Sequence, residues 1–330
     1  MILPARQLPD VPLALSELSL GCSQLGNMYR EVSDDDARST VDAAWELGVR
    51  SFDTAPHYGL GLSERRLGAA LASHPREAYV LSSKVGRLLE PVEHPDGLDD
   101  GGFVVPATHR RVWDFSRDGI RRSLEESLER LGLDRLDIVY LHDPDDHWSD
   151  VLATGYPALD ELRTAGLVGA IGAGMNQSKM LADLVRETDL DVVMLAGRYT
   201  LLEQDALDDL LPRCCERRVA VVAAGVFNSG LLARAQPADN LKYDYADAPR
   251  ELVERAQAIA RACARHGTTL PAAAIAFPLA HPAVASVCVG ARSAAQVQRN
   301  AALYAEAIAR DLWSELKAEG LLRDEAPVPG

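Results

Sequence analysis

Four side chains in this sequence have the types and spacing needed for acid–base chemistry. Three of them end apolar runs: Asp53 closes VRSFD, Lys84 closes AYVLSSK and His142 closes LDIVYLH. The fourth, Tyr58, lies in the segment TAPHYGLG, shortly after Asp53. Because the apolar runs have the length and composition of short strands, we expect Asp53, Lys84 and His142 to lie where strands end.

Together, these residues could transfer a proton to or from a carbonyl/alcohol pair at neutral pH. The ammonium of Lys84 would favour the phenolate form of Tyr58 and lower a pKa that is ordinarily about 10. The carboxylate of Asp53 would keep Lys84 charged, and His142 would orient the reacting oxygen. Taken singly, each has an ordinary explanation as a helix cap, a core residue or a structural histidine. The combination and order of all four favour the catalytic interpretation.

The elements that would position these residues repeat as a strand followed by a helix. Eight such units without a Ser/Gly linker predict an α/β fold, a single (β/α)8 TIM barrel spanning residues 1–330. The strands are expected near Leu18–Gly21, Arg50–Asp53, Tyr79–Ser83, Asp137–Leu141, Val168–Gly172, Val192–Leu195, Val219–Ala223 and Val284–Val289. The helices are expected near Ser33–Leu47, Ser63–Ala72, Arg117–Leu131, Tyr156–Ala165, Ser178–Glu187, Ala206–Arg217, Arg250–His266 and Ala294–Ile308.

The carboxyl ends of the strands of such a barrel converge on one mouth, where chemistry is built. Two long connections, Val85–Phe115 and Val226–Pro249, are predicted to leave strand ends and overhang this mouth. A shorter connection follows His142. The last residues, about 323–330, have the sequence RDEAPVPG and are predicted to form a frayed tail.

Composition and charge limit the classes of partner that this chain could bind. The net charge of −15 and pI of about 5.0 disfavour nucleic acid and anionic membrane as partners. The five cysteines show no paired spacing, which is typical of reduced thiols in the cytosol. No signal peptide and no apolar run of membrane-spanning length is found, so a cytoplasmic location is expected. The oligomeric state stays open.

Two other motifs carry little weight. HDPDDH, at 142–147, holds two histidines and three aspartates, but no second ligand cluster supports a metal, and we expect a hydrogen-bonded loop lid instead. GAIGAG, at 169–174, lacks the GxGxxG spacing of a Rossmann dinucleotide site. We therefore predict neither a metal site nor a Rossmann fold.

The motifs around the four residues resemble those of the aldo-keto reductases. The similarity is carried by FDTAPHYGLGLSERRLGAAL, by SSK at 82–84 and by RLGLDRLDIVYLHDPD at 130–145, within a resemblance that runs from about Leu18 to Asn300. The family's catalytic aspartate, tyrosine, lysine and histidine fall on Asp53, Tyr58, Lys84 and His142. VVPATHRRVWDFSRDGIRRSLEESLERLG, AIGAGMNQ and FNSGLL are similar to the D-threo-aldose (L-fucose) 1-dehydrogenase and pyridoxal 4-dehydrogenase branch.

The resemblance implies NAD(P) as cofactor, because the four residues handle a proton but supply no hydride. The implied pyrophosphate loop is GVFNSGLL at 225–232, and the implied adenine end is GARSAAQVQRN at 290–300. The candidate cofactor contacts are Gly21, Asn176, Ser229, Gly230, Leu231, Gly290, Arg292, Ser293, Gln296 and Asn300. The chain departs from the family where Ala223 and Ala224 replace a stacking aromatic and Ala196 replaces a glutamine.

The same resemblance implies oxidation of the anomeric hydroxyl of an aldose of the L-fucose, D-arabinose or L-galactose type to a lactone. Pyridoxal, which also presents a cyclic hemiacetal, is the rival substrate, and a general carbonyl reductase is a further alternative. The alternative outside the enzymes proper is a regulatory protein that senses the cofactor and turns over slowly. His57 and Trp113 are candidate substrate contacts. NAD is expected to be preferred over NADP, because neutral Gln296 stands where NADP-binding members carry an arginine.

Overall fold

Eight parallel strands close into a barrel in the computed structural model, which describes residues 3–238, 242–243 and 246–330. In chain order we label them β1 to β8, and each pairs with the next, β8 pairing with β1. Their bounds are Leu18–Gly21, Ser51–Asp53, Val80–Val85, Leu136–His142, Val168–Met175, Val192–Ala196, Ala220–Ala224 and Val284–Gly290. The predicted (β/α)8 barrel is confirmed.

Helices surround the barrel and return the chain to the start of the next strand. They are α1 Asp34–Glu46, α2 Leu62–Leu71, α3 Arg117–Leu131, α4 Tyr156–Thr164, α5 Ser178–Glu187, α6 Leu210–Arg217, α7 Arg250–Arg265, α8 Leu270–Leu279, α9 Ala294–Tyr304 and α10 Arg310–Ala318. Several begin at side-chain caps, as when the Ser33 hydroxyl accepts from the Asp36 amide. No helix in the described part of the chain is long and apolar enough to cross a membrane.

The hydrophobic core has two layers. The larger lies between the strands and the helices, and the smaller fills the barrel interior around Ile138, Tyr140 and Met194. A hairpin of Ala5–Gln7 and Ala14–Ser16 precedes β1. Leu15 in its second strand and Leu8, which follows its first strand, join the interior cluster. This hairpin, which the sequence did not predict, adds apolar side chains to the interior. A third, smaller apolar cluster lies around Leu60, Leu89, Phe103 and Val105.

The first long connection is an ordered part of the mouth. Its strands Arg87–Pro91 and His109–Trp113 pair antiparallel and form what we call the mouth hairpin. In the segment that connects these two strands, Phe103 forms a β-bridge with Met28, which lies in the loop after β1. In the second long connection, the described part includes a short turn at Asn228–Gly230 and an antiparallel pair, Lys242–Tyr243 with Ala246–Asp247.

The carboxyl-terminal segment differs from the expected frayed tail. Ala326 is buried, Val328 packs against the core, and the Arg323 amide donates to Gln204 at 2.9 Å. Polar contacts also join the tail to its neighbours: Lys317 of α10 donates to the Asp324 carbonyl at 2.7 Å, and Arg323 pairs with Asp208 at 2.5 Å. The predicted helix at Ala206–Arg217 is also shorter, since a 3-10 turn at Asp205–Leu207 precedes α6.

Candidate active site

Three strands bring Asp53, Lys84 and His142 side by side at one side of the mouth. Asp53 is the last residue of β2, Lys84 the second-last of β3 and His142 the last of β4. These strands are consecutive neighbours in the barrel, so their carboxyl ends meet. The three residues are 5%, 2% and 5% exposed, which is unusual for charged groups that have no partner.

The loop that carries Tyr58 is held by a close contact between two glycines. A Cβ atom at Gly26 would lie 2.6 Å from the Tyr58 carbonyl carbon, and one at Gly59 would lie 2.3 Å from the Gly26 oxygen. Gly59 also has φ of +63°, in the left-handed region. Any side chain at either position would push the loop away, so both glycines help to set the position of Tyr58.

The ammonium of Lys84 joins the group together. Its Nζ donates to Asp53 Oδ2 at 2.7 Å, to the Thr54 carbonyl at 2.9 Å and to Tyr58 Oη at 3.1 Å. The other Asp53 oxygen accepts from Ser82 at 2.8 Å. An ammonium has three donors, and these contacts use all of them. Because Tyr58 Oη accepts from Lys84, its own proton can be donated towards the mouth.

The pKa of Tyr58 differs from the lowered value that the sequence predicted. Burial raises the pKa of Tyr58 to about 12, and the positive charge of Lys84 offsets that rise only in part. Burial would lower the pKa of Lys84, but Asp53 and Tyr58 raise it above its ordinary value. The expectation that Lys84 stays charged therefore agrees with the structure. The expected low pKa of Tyr58 does not, because desolvation of the phenolate outweighs the attraction of the ammonium.

Two histidines face the tyrosine. The ring centres of His142 and His57 lie 6.0 and 6.1 Å from that of Tyr58, and 5.6 Å from one another. Their Nδ1 atoms are buried and have no hydrogen-bond partner among the described residues. Burial lowers the pKa of His57 to about 2 and that of His142 well below its ordinary value, with help from Arg87. Both rings are therefore neutral at physiological pH.

The neutral state of His57 predicts a loss of stability on acidification. The unfolded histidine takes up a proton near pH 6.5 and the folded one only near pH 2, so the unfolded state binds more protons as pH falls. From about pH 7 to 5.5, the free energy of unfolding of the wild type should fall about 1 kcal/mol more than that of His57→Gln. Urea unfolding at the two pH values measures this difference. His94→Gln, at an exposed site, should behave like the wild type, and an equal fall in His57→Gln would contradict the prediction.

Aromatic side chains wall the space in front of Tyr58. The Phe103 ring lies 6.0 Å from that of Tyr58 and 5.3 Å from that of His57. Trp113, 40% exposed, ends the mouth hairpin, stacks on Phe115 and packs against the tilted ring of His147. The sequence singled out His57 and Trp113 but not Phe103, whose position depends on the bridge to Met28.

A second contact fastens the first long connection to the tyrosine loop. Arg111, in the mouth hairpin, binds both oxygens of Asp99 at 2.6 and 2.9 Å. The same guanidinium donates to the His57 carbonyl at 3.1 Å. The spacing of Asp99 and Arg111 gave no sign of this pair, because the hairpin itself was not predicted.

The residues of HDPDDH turn to different partners. Asp143 pairs with Arg87 at 2.5 Å, Asp145 accepts from Gln177, and His147 packs against Trp113. The described residues contain no group of three histidines, cysteines or carboxylates that could hold a metal ion. The Asp145–Gln177 contact joins this segment to the loop after β5, so the segment is tied to the mouth.

The opposite side of the mouth is formed by small residues. β1 ends at Gly21, β6 at Ala196, β7 at Ala224 and β8 at Gly290. Gly21 pairs in register with Asp53 on one side and with Gly290 on the other. A shelf with little side-chain volume therefore begins directly beside the candidate catalytic residues.

Residues 17–319 match the model of the Aldo/keto reductase family. This chain belongs to the aldo/keto reductase family. A D-threo-aldose 1-dehydrogenase from Pseudomonas sp is 51% identical over 314 residues, covering 94% of this chain and 95% of that protein. A pyridoxal 4-dehydrogenase from Microbacterium luteolum is 38% identical over 335 residues, covering 96% and 97% of the two chains.

The fold agrees with that of solved members of the family. The holo form of an aldo-keto reductase from Bacillus halodurans superposes with a TM-score of 0.79 at 25% identity, covering 99% of this chain and 98% of that one. Aldo/keto reductases are oxidoreductases that use NAD(P), so this oxidoreductase requires a nucleotide site beside its acid–base residues.

This aldo/keto reductase offers two segments for the nucleotide, and the first is the turn after β7. Ser229 has φ of 55° and Gly230 of 104°, both left-handed. The amides of Gly230 and Leu231 donate within the turn, to Phe227 and Asn228 at 2.9 and 3.1 Å. The sequence missed Asn228, which is buried and donates to the Gly197 carbonyl at 3.0 Å.

The second segment is the start of α9. The Ser293 hydroxyl caps this helix by accepting from the Gln296 amide, and the Gln296 side chain accepts from the Arg292 amide at 3.0 Å. Asn300, two turns on, lines a small cavity with residues of β1, β8 and α1. Asn176 follows β5 and is half-buried. Whether these residues contact the cofactor stays a prediction.

Proposed function

We propose that this aldo/keto reductase is an NAD(P)-dependent aldose 1-dehydrogenase. It would oxidise the anomeric hydroxyl of a pyranose of the L-fucose, D-arabinose or L-galactose type to a lactone. The observation that carries this proposal is the hydrogen-bonded chain from Asp53 through Lys84 to Tyr58, with neutral His142 facing it. The similarity to a D-threo-aldose 1-dehydrogenase at 51% identity supports the choice of substrate class.

In this proposal, Tyr58 exchanges the proton of the reacting oxygen. During reduction the phenol of Tyr58 donates its proton to the carbonyl oxygen, and during oxidation the same oxygen, in its phenolate form, takes the hydroxyl proton. Lys84 donates to the same Oη and stabilises the negative charge that develops there, while Asp53 keeps the ammonium charged and in place. Neutral His142 positions the reacting oxygen through a ring nitrogen. When bound, the nicotinamide supplies the hydride acceptor or donor.

The residues present fit a nicotinamide dinucleotide. The small side chains at Gly21, Ala196 and Ala224 leave room for a planar ring beside Asp53. We assign the pyrophosphate contact to Ser229, since the neighbouring amides are engaged within their turn. The amino end of α9 offers the partial positive charge that an adenosine phosphate favours.

Pyridoxal remains the second candidate, because a relative 38% identical to this chain is a pyridoxal 4-dehydrogenase. Assays with NAD and a panel of L-fucose, D-arabinose, L-galactose and pyridoxal decide between them. Turnover of a sugar at about 1–10³ per second supports an aldose dehydrogenase. Activity on pyridoxal without sugar oxidation would replace the proposal, and a general preference for simple aldehydes would indicate a carbonyl reductase. Nucleotide binding without turnover of any substrate would favour a regulatory sensor.

We further propose that NAD is preferred over NADP. Gln296 is neutral, and its carbonyl oxygen is directed at the start of α9, where a 2′-phosphate would need donors. A Cβ atom at Gly290, the other expected phosphate position, would lie 2.4 Å from Gln24 Oε1. Arg292 is a cation close to this position; burial lowers its pKa, and the charge of nearby Arg30 lowers it further. Two guanidiniums so placed would leave some affinity for the phosphate.

The expected result is a higher kcat/KM with NAD than with NADP, by about 10–150-fold, the value of one charge-assisted hydrogen bond. Arg292→Ala should lower kcat/KM for NADP and change that for NAD little. Steady-state assays with both nucleotides on one sugar measure this, with Arg38→Ala, exposed on α1, as the control. A clear NADP preference of the wild type would contradict the role given to Gln296.

The proposed partner is a small molecule, with neither nucleic acid nor membrane, and the proposed location is the cytoplasm. The five cysteines are free thiols, and Cys22, Cys214, Cys263 and Cys288 are buried, which supports a reducing compartment. The net charge of −15 supports a protein that does not bind polyanions.

A further inference from the structure

An ion pair outside the four candidate catalytic residues lies directly in front of them. Arg87 Nη2 contacts Asp143 Oδ2 at 2.5 Å, and the side chains are 13% and 37% exposed. Arg87 opens the mouth hairpin three residues after Lys84, and Asp143 follows His142 directly. Both residues therefore take their positions from the strands that carry the catalytic candidates.

The pair is close to the atoms that would hold the reacting oxygen. Asp143 Oδ2 lies 3.7 Å from His142 Nε2. Asp143 has φ of 40°, and its amide donates to the Gly174 carbonyl at 2.9 Å, so the backbone turns left-handed immediately after β4. This turn directs the carboxylate back over the mouth, whereas an extended backbone would carry it onward along the strand.

The guanidinium of Arg87 is held in place with donors to spare. Its central carbon lies 4.1 Å from the centre of the Trp113 ring, in a cation–π contact. Its Nε is buried and has no hydrogen-bond partner within the described ranges. Because Nε is buried, a ligand hydroxyl would meet the terminal nitrogens of the guanidinium, beside Asp143.

We propose that Arg87 and Asp143 bind the hydroxyl group next to the one that reacts, and so select aldoses over compounds that lack it. A hydroxyl both donates and accepts, and the pair offers a carboxylate acceptor beside guanidinium donors. Neighbouring oxygens of a vicinal diol lie about one hydrogen-bond length apart, roughly 2.8 Å. If the reacting oxygen lies at Tyr58 and His142, the oxygen of the neighbouring hydroxyl would therefore lie at Asp143 and Arg87.

This assignment rests on the proposed aldose dehydrogenase function and deepens it. A site that hydrogen-bonds a substrate hydroxyl rejects an analogue without it, because the site's own polar groups then lose their partner. Trp113 would contribute by holding the guanidinium flat and by offering an apolar face to the C–H groups of the sugar. The alternative is that the ion pair only fastens the mouth hairpin to the barrel.

The test compares L-fucose with 2-deoxy-L-fucose as substrates, with NAD saturating. Wild-type kcat/KM should favour L-fucose by about 100-fold or more. Arg87→Met and Asp143→Asn should each lower kcat/KM for L-fucose at least tenfold, chiefly through KM, and lower that for the deoxy sugar far less. The ratio of kcat/KM for L-fucose to that for the deoxy sugar should therefore fall markedly in both variants. Arg110→Met, which breaks the exposed Arg110–Glu90 pair of the same hairpin, is the matched control and should keep the full preference.

The outcomes separate this assignment from the function on which it rests. Oxidation of neither sugar by the wild type would overturn both. Oxidation of both sugars with an unchanged preference in the two variants, or an equal loss on both sugars, would overturn the assignment alone. Circular dichroism shows whether Arg87→Met folds. If it does not, Asp143→Asn, which keeps the size of the side chain, tests the assignment by itself.

Discussion

Tyr58→Phe is expected to lower kcat by about 10²–10⁴-fold while the fold and nucleotide affinity are retained. The substitution removes one oxygen atom, which accepts from Lys84 at 3.1 Å and is placed to exchange the substrate proton. The ring keeps its contacts with Phe103 and the two histidines. Steady-state kinetics on a sugar and fluorescence titration with NAD measure the two effects separately.

Tyr199→Phe is the matched control for this substitution. Tyr199 is 1% exposed, and its hydroxyl has no hydrogen-bond partner among the residues that the structure describes. The control removes the same atom from another buried tyrosine, so it should leave kcat unchanged. A Tyr58→Phe enzyme with more than half of the wild-type kcat would refute the acid–base role of Tyr58.

The sequence predicted the barrel well because its signals are local. β1, α3 and α5 have the predicted bounds. β1 is a short apolar run, and α3 begins at the Ser116 cap and ends at Gly132. Asp53, Lys84 and His142 could be placed at one mouth from strand order alone, because parallel strands in a barrel end on the same side.

The elements that were missed lack such local signals. α8 has the sequence LPAAAIAFPL, which is apolar on every face and contains two prolines, so no helical period is visible. The two strands of the mouth hairpin are separated by a long irregular segment, so no short turn indicates the pairing. As a result, Arg87, Arg111 and Phe103 could not be assigned to the site.

The ionisation of Tyr58 could not be predicted for a different reason. Residue types show that a lysine lies near a tyrosine, and this favours a lowered pKa. They do not show how deeply the phenol is buried, and that burial raises its pKa to about 12. The balance of two opposing effects depends on three-dimensional distances and solvent access, which a one-dimensional pattern does not contain.

Lys84→Met is expected to affect both activity, through the contact of Lys84 with Tyr58, and stability, through its ion pair with Asp53. It removes the charge that opposes the effect of burial on Tyr58, so the pKa of Tyr58 should rise further. The limb of the pH–rate profile that reports this group should move to higher pH, and the rate at neutral pH should fall. Profiles of kcat/KM for wild type and variant measure the shift. An unshifted profile at a normal rate would assign Lys84 a structural role only.

The effect on stability follows from Asp53, which is 5% exposed and would lose its counter-ion. Breaking a buried pair by removing one partner costs about 3–5 kcal/mol, whereas replacing both charges is far less costly. Urea unfolding should therefore show a large loss for Lys84→Met and a recovery in the double variant Asp53→Asn/Lys84→Met. The double variant should remain inactive, because the neutral pair leaves Tyr58 without its ammonium. If it regained activity together with stability, the loss in Lys84→Met would be due to the stranded carboxylate rather than to the acidity of Tyr58.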